Sequence, residues 1–394
     1  MCPSYMGTRD ERNTTRARSN MLREFFNGSI STDKLGFDEV KEVLDLCLSC
    51  KACKSECPSS VDMTKLKAEF LNLYHSKYGV PIRSRLIGAL PKVNSLASRL
   101  PRITNTVFRS KVLSGMIARL LGFSTKRELP LLSKTTLNRW YKKHAGIKQK
   151  QGRTLYLFAD EFTNFNDSHI GIKTILLLEK LGYVVVVPDL KESGRTYLSK
   201  GILGKAKRLA NENVRLLSGV VSEESPLIGV EPSAILTFRD EYPALVTSEL
   251  NEAAQKIASC SFTIEEFLNF ENEKGKIDMS LFVKDEKKIR FHGHCYQKSL
   301  SETKYTKSIL EIPENYTAEE IPSGCCGMAG AFGYEKEHYE LSMSIGELVL
   351  FPEVRKTGDS TLLAASGTSC RHHIKHGTDR ESQHPVEVLF DALL

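Results

Sequence analysis

A chain of 394 residues with 41% hydrophobic content is longer than one hydrophobic core usually serves, so two or three domains are expected, none needing disulfide staples. No run approaches the roughly 18 apolar residues of a membrane span, and the first residues lack the apolar core of a secretion signal, which excludes an integral membrane protein and points to the cytoplasm. The ten cysteines lie five within residues 1–57 and five within 260–370, so they are read as chemistry, metal binding above all, in a reducing compartment.

Residues 13–26 (NTTRARSNMLREFF), 36–47 (GFDEVKEVLDLC) and 61–78 (VDMTKLKAEFLNLYHSKY) repeat apolar residues every three to four positions, which predicts helices and no strands. Between the last two lies CLSCKACKSECP, placing Cys47, Cys50, Cys53, Cys57 and Pro58 in the C-x2-C-x2-C-x3-C-P spacing of bacterial 4Fe-4S ferredoxins. Two-residue gaps let three thiolates on a tight loop reach one cube, while the fourth points to another. Cys2, also followed by proline, has the form of the last cysteine of an identical run. Crossed ligation then gives Cys2, Cys47, Cys50 and Cys53 to one 4Fe-4S cluster and leaves Cys57 on a second cluster whose other ligands would precede the chain. The expectation is a piece of a longer protein. A complete one-cluster protein with a spare cysteine is the alternative, and a zinc knuckle fits less well, because structural zinc pairs two C-x2-C arms across a longer gap.

From residue 80 to 153, 17 Lys or Arg face a single acid, Glu128, at spacings that predict basic helices. Their charge suits solvated helix faces, or a dock for an acidic partner domain or an anionic membrane surface. No nucleic-acid partner is expected, since no recognisable DNA or RNA module accompanies the charge.

Beyond IKQKQGR (147–153) the pattern turns to short β-branched runs at 154–160, 183–188, 226–230, 288–294 and 361–366, separated by helical stretches such as 171–182 and 338–351. Alternating strands and helices predict a parallel sheet covered on both faces. The region also repeats. Laying LYLFADEF on IRFHGHCY puts Glu161 on Cys295, KESGR on GCCGM puts Glu192 and Ser193 on Cys325 and Cys326, and EPSAI on GTSCR puts Ala234 on Cys370. Cys295, Cys325, Cys326 and Cys370 are thus expected at the strand ends where open α/β sheets bind ligands. Gly324 and Gly327 permit the turn that adjacent cysteines require. His292 and His294 alternate along a predicted strand, which would put both on one face beside Cys295, and His294 joins the candidate ligand set, with His372 and His373 nearby. An iron–sulfur centre, a zinc ion and a redox-active cysteine pair all suit such a group. Cys260 stands apart and is expected in the core.

CPSYMGTRDERNTTRARSNMLREF, CLSCKACKSECPSSVDMTKLKAEF, SGRTYLSKGILGKAKRLA, IGVEPSAILTFRDEYP, HGHC, GCCGMAGAFGYEKEHYE and GTSCR together resemble the iron–sulfur C-terminal half of the large FAD-linked D-2-hydroxyacid dehydrogenases, of D-lactate and D-2-hydroxyglutarate type. The likeness covers nearly the whole chain. More distantly, the chain is similar to the glycolate oxidase iron–sulfur subunit, the anaerobic glycerol-3-phosphate dehydrogenase C subunit and the CCG domains of heterodisulfide reductase. The fold expected is an α-helical ferredoxin-type domain at 1–78, a basic helical connector at 79–153, and an α/β region of two Rossmann-like CCG-type half-repeats with parallel sheets. The first half, 154–270, has lost its cysteines and the second, 271–394, keeps them.

The resemblance implies an oxidoreductase component without the hydride-transfer site. FAD would sit in an upstream dehydrogenase domain, and electrons would pass singly to a quinone, cytochrome or flavoprotein, in the cytoplasm or peripherally on the inner face of the membrane. Glu192-Ser193-Gly194 stands where intact units carry Cys-Cys-Gly, and Cys370-Arg371-His372-His373 where many carry C-x2-C, so one metal site is expected in this region. The rival reading is a stand-alone iron–sulfur or zinc-binding subunit that docks a separate dehydrogenase.

Overall fold

The computed structural model describes residues 2–31, 33–145 and 151–394, so the expected boundary at 147–153 lies partly outside the described residues. The N-terminal part comprises α1 (Pro3–Thr8), α2 (Thr15–Phe26), α3 (Lys34–Asp45), α4 (Ala52–Glu56) and α5 (Met63–Tyr78). Thr14, Asp33 and Asp62 start α2, α3 and α5, each accepting a backbone N–H of the first turn on its side-chain oxygen. The apolar stripes of these three helices meet in one core, where Phe25 packs edge-on against Phe37 at 4.8 Å and both lie against Phe70.

The basic connector forms α6 (Ile82–Gly88), α7 (Leu90–Ala97), α8 (Pro101–Arg109) and α9 (Lys111–Leu121). Gly88 lets α6 lie against the Tyr197 ring, which a β-carbon there would meet at 2.8 Å. Helix α8 buries no residue and α9 buries only Ala118.

Seven strands follow: β1 (Thr154–Phe158), β2 (Val184–Val186), β3 (Leu227–Gly229), β4 (Ser261–Thr263), β5 (Lys287–His292), β6 (Tyr316–Glu320) and β7 (Leu362–Ala365). They form two small parallel sheets, ordered β2-β1-β3-β4 and β6-β5-β7. Five strands match the β-branched runs. The two unanticipated ones are a three-residue SFT and an alternating YTAEE whose Thr317 and Glu319 sit on the exposed face of an edge strand, so neither carries an apolar run. One buried core runs from Leu155, Val185 and Ile228 of the first sheet to Phe291 and Ala364 of the second. Among the described residues no helix is long and apolar enough to cross a membrane.

Candidate metal centres

Between α3 and α4 the chain turns through two non-glycine residues in the left-handed region, Ser49 (φ 54) and Lys51 (φ 61). Such a backbone costs roughly 1 kcal/mol or more per residue and persists only where surrounding contacts hold it. The turn directs Cys47, Cys50 and Cys53 toward Cys2, the residue that starts α1 ahead of Pro3. These four cysteines line one cavity of about 40 Å³, together with Arg18, Met63 and Thr64. Cys57 is not among the lining residues. It ends α4, and backbone N–H groups of Val61 and Ser59 lower its pKa.

The thiols differ in surroundings. Burial raises the pKa of Cys2, but the Arg18 guanidinium, whose Nη1 donates to Cys2 Sγ at 3.1 Å, together with hydrogen bonds from Ser4 and the Tyr5 backbone, outweighs it and brings the value below the ordinary one. Burial pushes Cys50 well up, and Cys295 beside it adds to the shift. Lys51 anchors the loop to the α/β part. Its buried ammonium meets Asp62 at 2.8 Å, Asp240 at 2.6 Å and Glu241 at 3.1 Å.

The second group sits at the ends of the second sheet. Cys295 opens the helix Cys295–Leu300 just after β5, Cys325 and Cys326 lie in the loop after β6, and Cys370 is in the helix Thr368–Thr378 after β7. At Gly327, φ is +102 and a β-carbon would meet Ser342 O at 2.5 Å, so this glycine makes the turn that presents both cysteines. The thiols stand in a chain of close neighbours, Cys295 beside Cys325, Cys325 beside Cys326 and Cys326 beside Cys370, each perturbing the next. The Cys325 contact lowers the pKa of both Cys295 and Cys326, while Cys325, chiefly through Cys295, and Cys370, chiefly through Cys326, are raised.

The histidine expectation changes in detail. Only His292 ends β5; His294 leaves the strand and caps the next helix, its Nδ1 accepting from Tyr296 N at 3.1 Å, with Nε2 3.8 Å from Glu231. His292, Cys326 and Cys370 each bring a ligand atom within 4.8 Å of the others. His292 Nδ1 bonds Ser323 Oγ at 2.7 Å, and its buried Nε2 has no partner. His373 bonds Ser342 O, and His372 lies 3.5 Å from Tyr334 Oη. Cys260 is in the core.

The two cysteine groups adjoin. Cys50, Cys295 and Cys325 share one apolar cluster with Leu48 and Phe332, and Ser299 Oγ donates to Cys50 O at 3.3 Å. A second cavity, of about 150 Å³, opens on Cys47 and is lined by Lys67, His75, Lys200 and His338. Spacing announced each cysteine group but not their adjacency, nor Arg18 and Lys51, which read as ordinary cations within charged runs.

The donor sets suit metal. Four thiols around one cavity, beside a buried cation that has no carboxylate partner among the described residues, suit an anionic iron–sulfur cube, and neighbouring thiols with a buried imidazole nitrogen that has no hydrogen-bond partner suit a second centre.

Residues 1–62 match a family of 4Fe-4S dicluster domains. The chain is 27% identical over 375 residues to a D-2-hydroxyglutarate dehydrogenase of Escherichia coli (strain K12), covering 90% of this chain and 35% of the relative. It is 25% identical over 315 residues to the anaerobic glycerol-3-phosphate dehydrogenase C subunit of the same organism, covering 79% of this chain and 77% of that one. With the glycolate oxidase iron-sulfur subunit, also of Escherichia coli (strain K12), identity is 21% over 399 residues, across 100% of this chain and 91% of the other. The chain thus spans about a third of the length of the D-2-hydroxyglutarate dehydrogenases it matches.

Proposed function

We propose that this chain, an iron–sulfur electron-transfer part related to flavin-linked dehydrogenases and to glycolate oxidase iron-sulfur subunits, serves as the relay of a D-2-hydroxyacid dehydrogenase of D-lactate or D-2-hydroxyglutarate type. A dehydrogenase domain holding FAD, upstream in the same polypeptide or on a separate subunit, takes the hydride. This chain carries the electrons on to a quinone, cytochrome or flavoprotein. The observation that carries the reading is the thiol cavity of Cys2, Cys47, Cys50 and Cys53 lying against Cys295 and Cys325, which makes one continuous route of two cysteine groups.

In this reading Cys2, Cys47, Cys50 and Cys53 hold a 4Fe-4S cluster, and Cys57 holds one corner of another. Cys295, Cys325, Cys326 and Cys370 hold a further centre, with His292 or His294 as neighbour or ligand. Bound clusters divide a two-electron oxidation into single-electron steps. The protein's own residues do the rest: Lys51 and Ser49 fix the loop, Leu48 and Phe332 keep water from the junction, and the cavity on Cys47 gives an acceptor access. Zinc at the second site is the alternative, favoured by the closed set of thiols with His292 Nε2.

The division into 1–78, 79–153, 154–270 and 271–394 belongs to the same proposal. Both α/β halves place their first strand between the second and third. A helix starts at Glu161 after β1 as one starts at Cys295 after β5, and Ser193 Oγ donates to Glu161 at 2.7 Å, the two residues standing at the places of Cys326 and Cys295, which also interact. This supports two CCG-type half-repeats, the first with a carboxylate–hydroxyl pair in place of thiols. Helices α6–α9 expose Leu96, Ile103, Val112, Met116 and Leu120 among basic residues, which supports a dock for an acidic partner face or an anionic membrane surface. Anaerobic reconstitution of the full chain, with iron, sulfide and zinc analysis and a spectrum after chemical reduction, tests the reading. About four irons with sulfide in the N-terminal part support it; zinc alone, or no metal, overturns it.

A further inference from the structure

Arg18 is among the largest fully buried side chains of the protein, 1% exposed. Each of its three nitrogens donates close to the cysteine cavity: Nε to Val43 O, Nη1 to Cys2 Sγ and Nη2 to Ser4 Oγ, each at 3.1 Å. Among the described residues no carboxylate lies within ion-pair distance of it. The other buried cations among the described residues have carboxylate or aromatic neighbours. Lys51 meets three carboxylates, Arg195 meets Glu241 at 2.6 Å, and Arg127 lies over the Tyr334 and Tyr339 rings at 5.9 and 5.1 Å. A guanidinium taken out of water without a counter-charge is costly, so the site calls for an anion, and the thiol cavity that Arg18 lines offers a place for one.

We propose that Arg18 is the resident counter-ion of the centre held by Cys2 and raises its reduction potential through the bond to Cys2 Sγ. The inference rests on the 4Fe-4S reading of that cavity. Reduction adds one electron to the centre and one negative charge beside a fixed cation, so the reduced form gains more from Arg18 than the oxidised form. No proton moves, because a guanidinium stays charged at every working pH. Arg18 acts through Cys2 and is a positioning residue.

The test is a redox titration, followed by electron paramagnetic resonance, of the anaerobically loaded full chain and of Arg18→Gln and Arg18→Lys. Arg18→Gln should lower the midpoint by about 59 mV or more, the one-electron equivalent of a tenfold change in the reduction equilibrium. Arg18→Lys, which keeps the charge and loses the fork, should fall between, and the wild-type midpoint should be independent of pH. A purely structural role would reduce the iron content of Arg18→Gln while the remaining clusters titrate at the wild-type midpoint, and that result overturns the proposal. If Arg18→Gln holds no iron, Arg18→Lys decides: a midpoint below wild type supports the proposal and an unchanged one overturns it. A wild-type chain that binds no cluster would refute the proposed function instead.

Discussion

Cys2 and Cys57 are each followed by proline, yet their surroundings separate them. Cys2 lines the thiol cavity and receives Arg18, whereas Cys57 ends a helix outside it. After anaerobic loading, Cys2→Ser should be short of iron and sulfide in the N-terminal part, while Cys57→Ser keeps its complement; equal losses would contradict the crossed assignment. The histidines of HGHC part company in the same way. His292→Ala should weaken metal retention at the second centre roughly tenfold or more in competition with a chelator. His294→Ala should cost about 1 kcal/mol as a lost cap, read by denaturant unfolding, with the metal retained. Sequence spacing was enough to find the cysteines. It did not separate the two histidines, because their difference lies in where β5 stops, a boundary set by the helix cap and not by the alternation of the residues.

The loop 47–57 owes its position to contacts outside itself. Lys51→Met would leave Asp62 without its ion pair, while Asp240 keeps Lys54 and Lys65 and Glu241 keeps Arg195, so the cost should lie below the roughly 3–5 kcal/mol of a fully uncompensated buried charge. Hydrogen exchange across 47–57 should accelerate and the thermal midpoint should fall; unchanged exchange would show that the loop stands without this anchor. A second tie joins the end of α3 to the loop after the Cys325–Cys326 turn, with His338 between Asp45 at 2.7 Å and Glu335 at 2.9 Å. Burial works against charge at all three groups, but the hydrogen bonds together with neighbouring charges, Lys200 at Glu335 and Lys67 at Asp45 among them, outweigh it, holding Asp45 and Glu335 at about 2 and raising His338 above 6.5. The carboxylates contribute fully above their ordinary values of 3.8 and 4.5 and lose that contribution as pH falls toward 2. His338 contributes fully below 6.5 and loses its share as pH rises through its raised value. Stability from this tie should therefore be greatest between about 4.5 and 6.5. Thermal midpoints of wild type and His338→Gln from pH 5 to 9 should converge as the solution becomes alkaline; parallel profiles would contradict the tie.

At the scale of the whole molecule, periodicity carried the helices of the first 80 residues, and the runs at 154–160 and 226–230 carried the centre of the first sheet, because buried parallel strands must be apolar on both faces. What could not be read was which distant surfaces meet. Cys50 against Cys295 is a contact across 245 positions that no local pattern encodes, and it is fixed by how α4 packs on the helix Cys295–Leu300. The carboxylate of Glu161 beside Ser193 was visible as a departure from cysteine, but only the fold shows it closing on itself, Ser193 N and Oγ both donating to it.

Time enters through the anchoring of the thiol loop. Asp240 follows Lys51 by 189 residues, Ser299 follows Cys50 by 249, and His338 follows Asp45 by 293. At about 5–20 residues per second, a ribosome would leave the loop without its seat for roughly ten seconds to a minute. During that interval the thiols stand apart from their later neighbours; afterwards Lys51 is buried and Cys50 lies partly buried against Cys295. On the proposed cluster assignment, delivery during synthesis should be faster than delivery to the finished chain, whose loop is already seated. In a cell-free translation, iron and sulfide offered during elongation should be incorporated faster than the same supply offered to completed, folded protein, and equal rates would mean that the loop opens freely in the mature molecule.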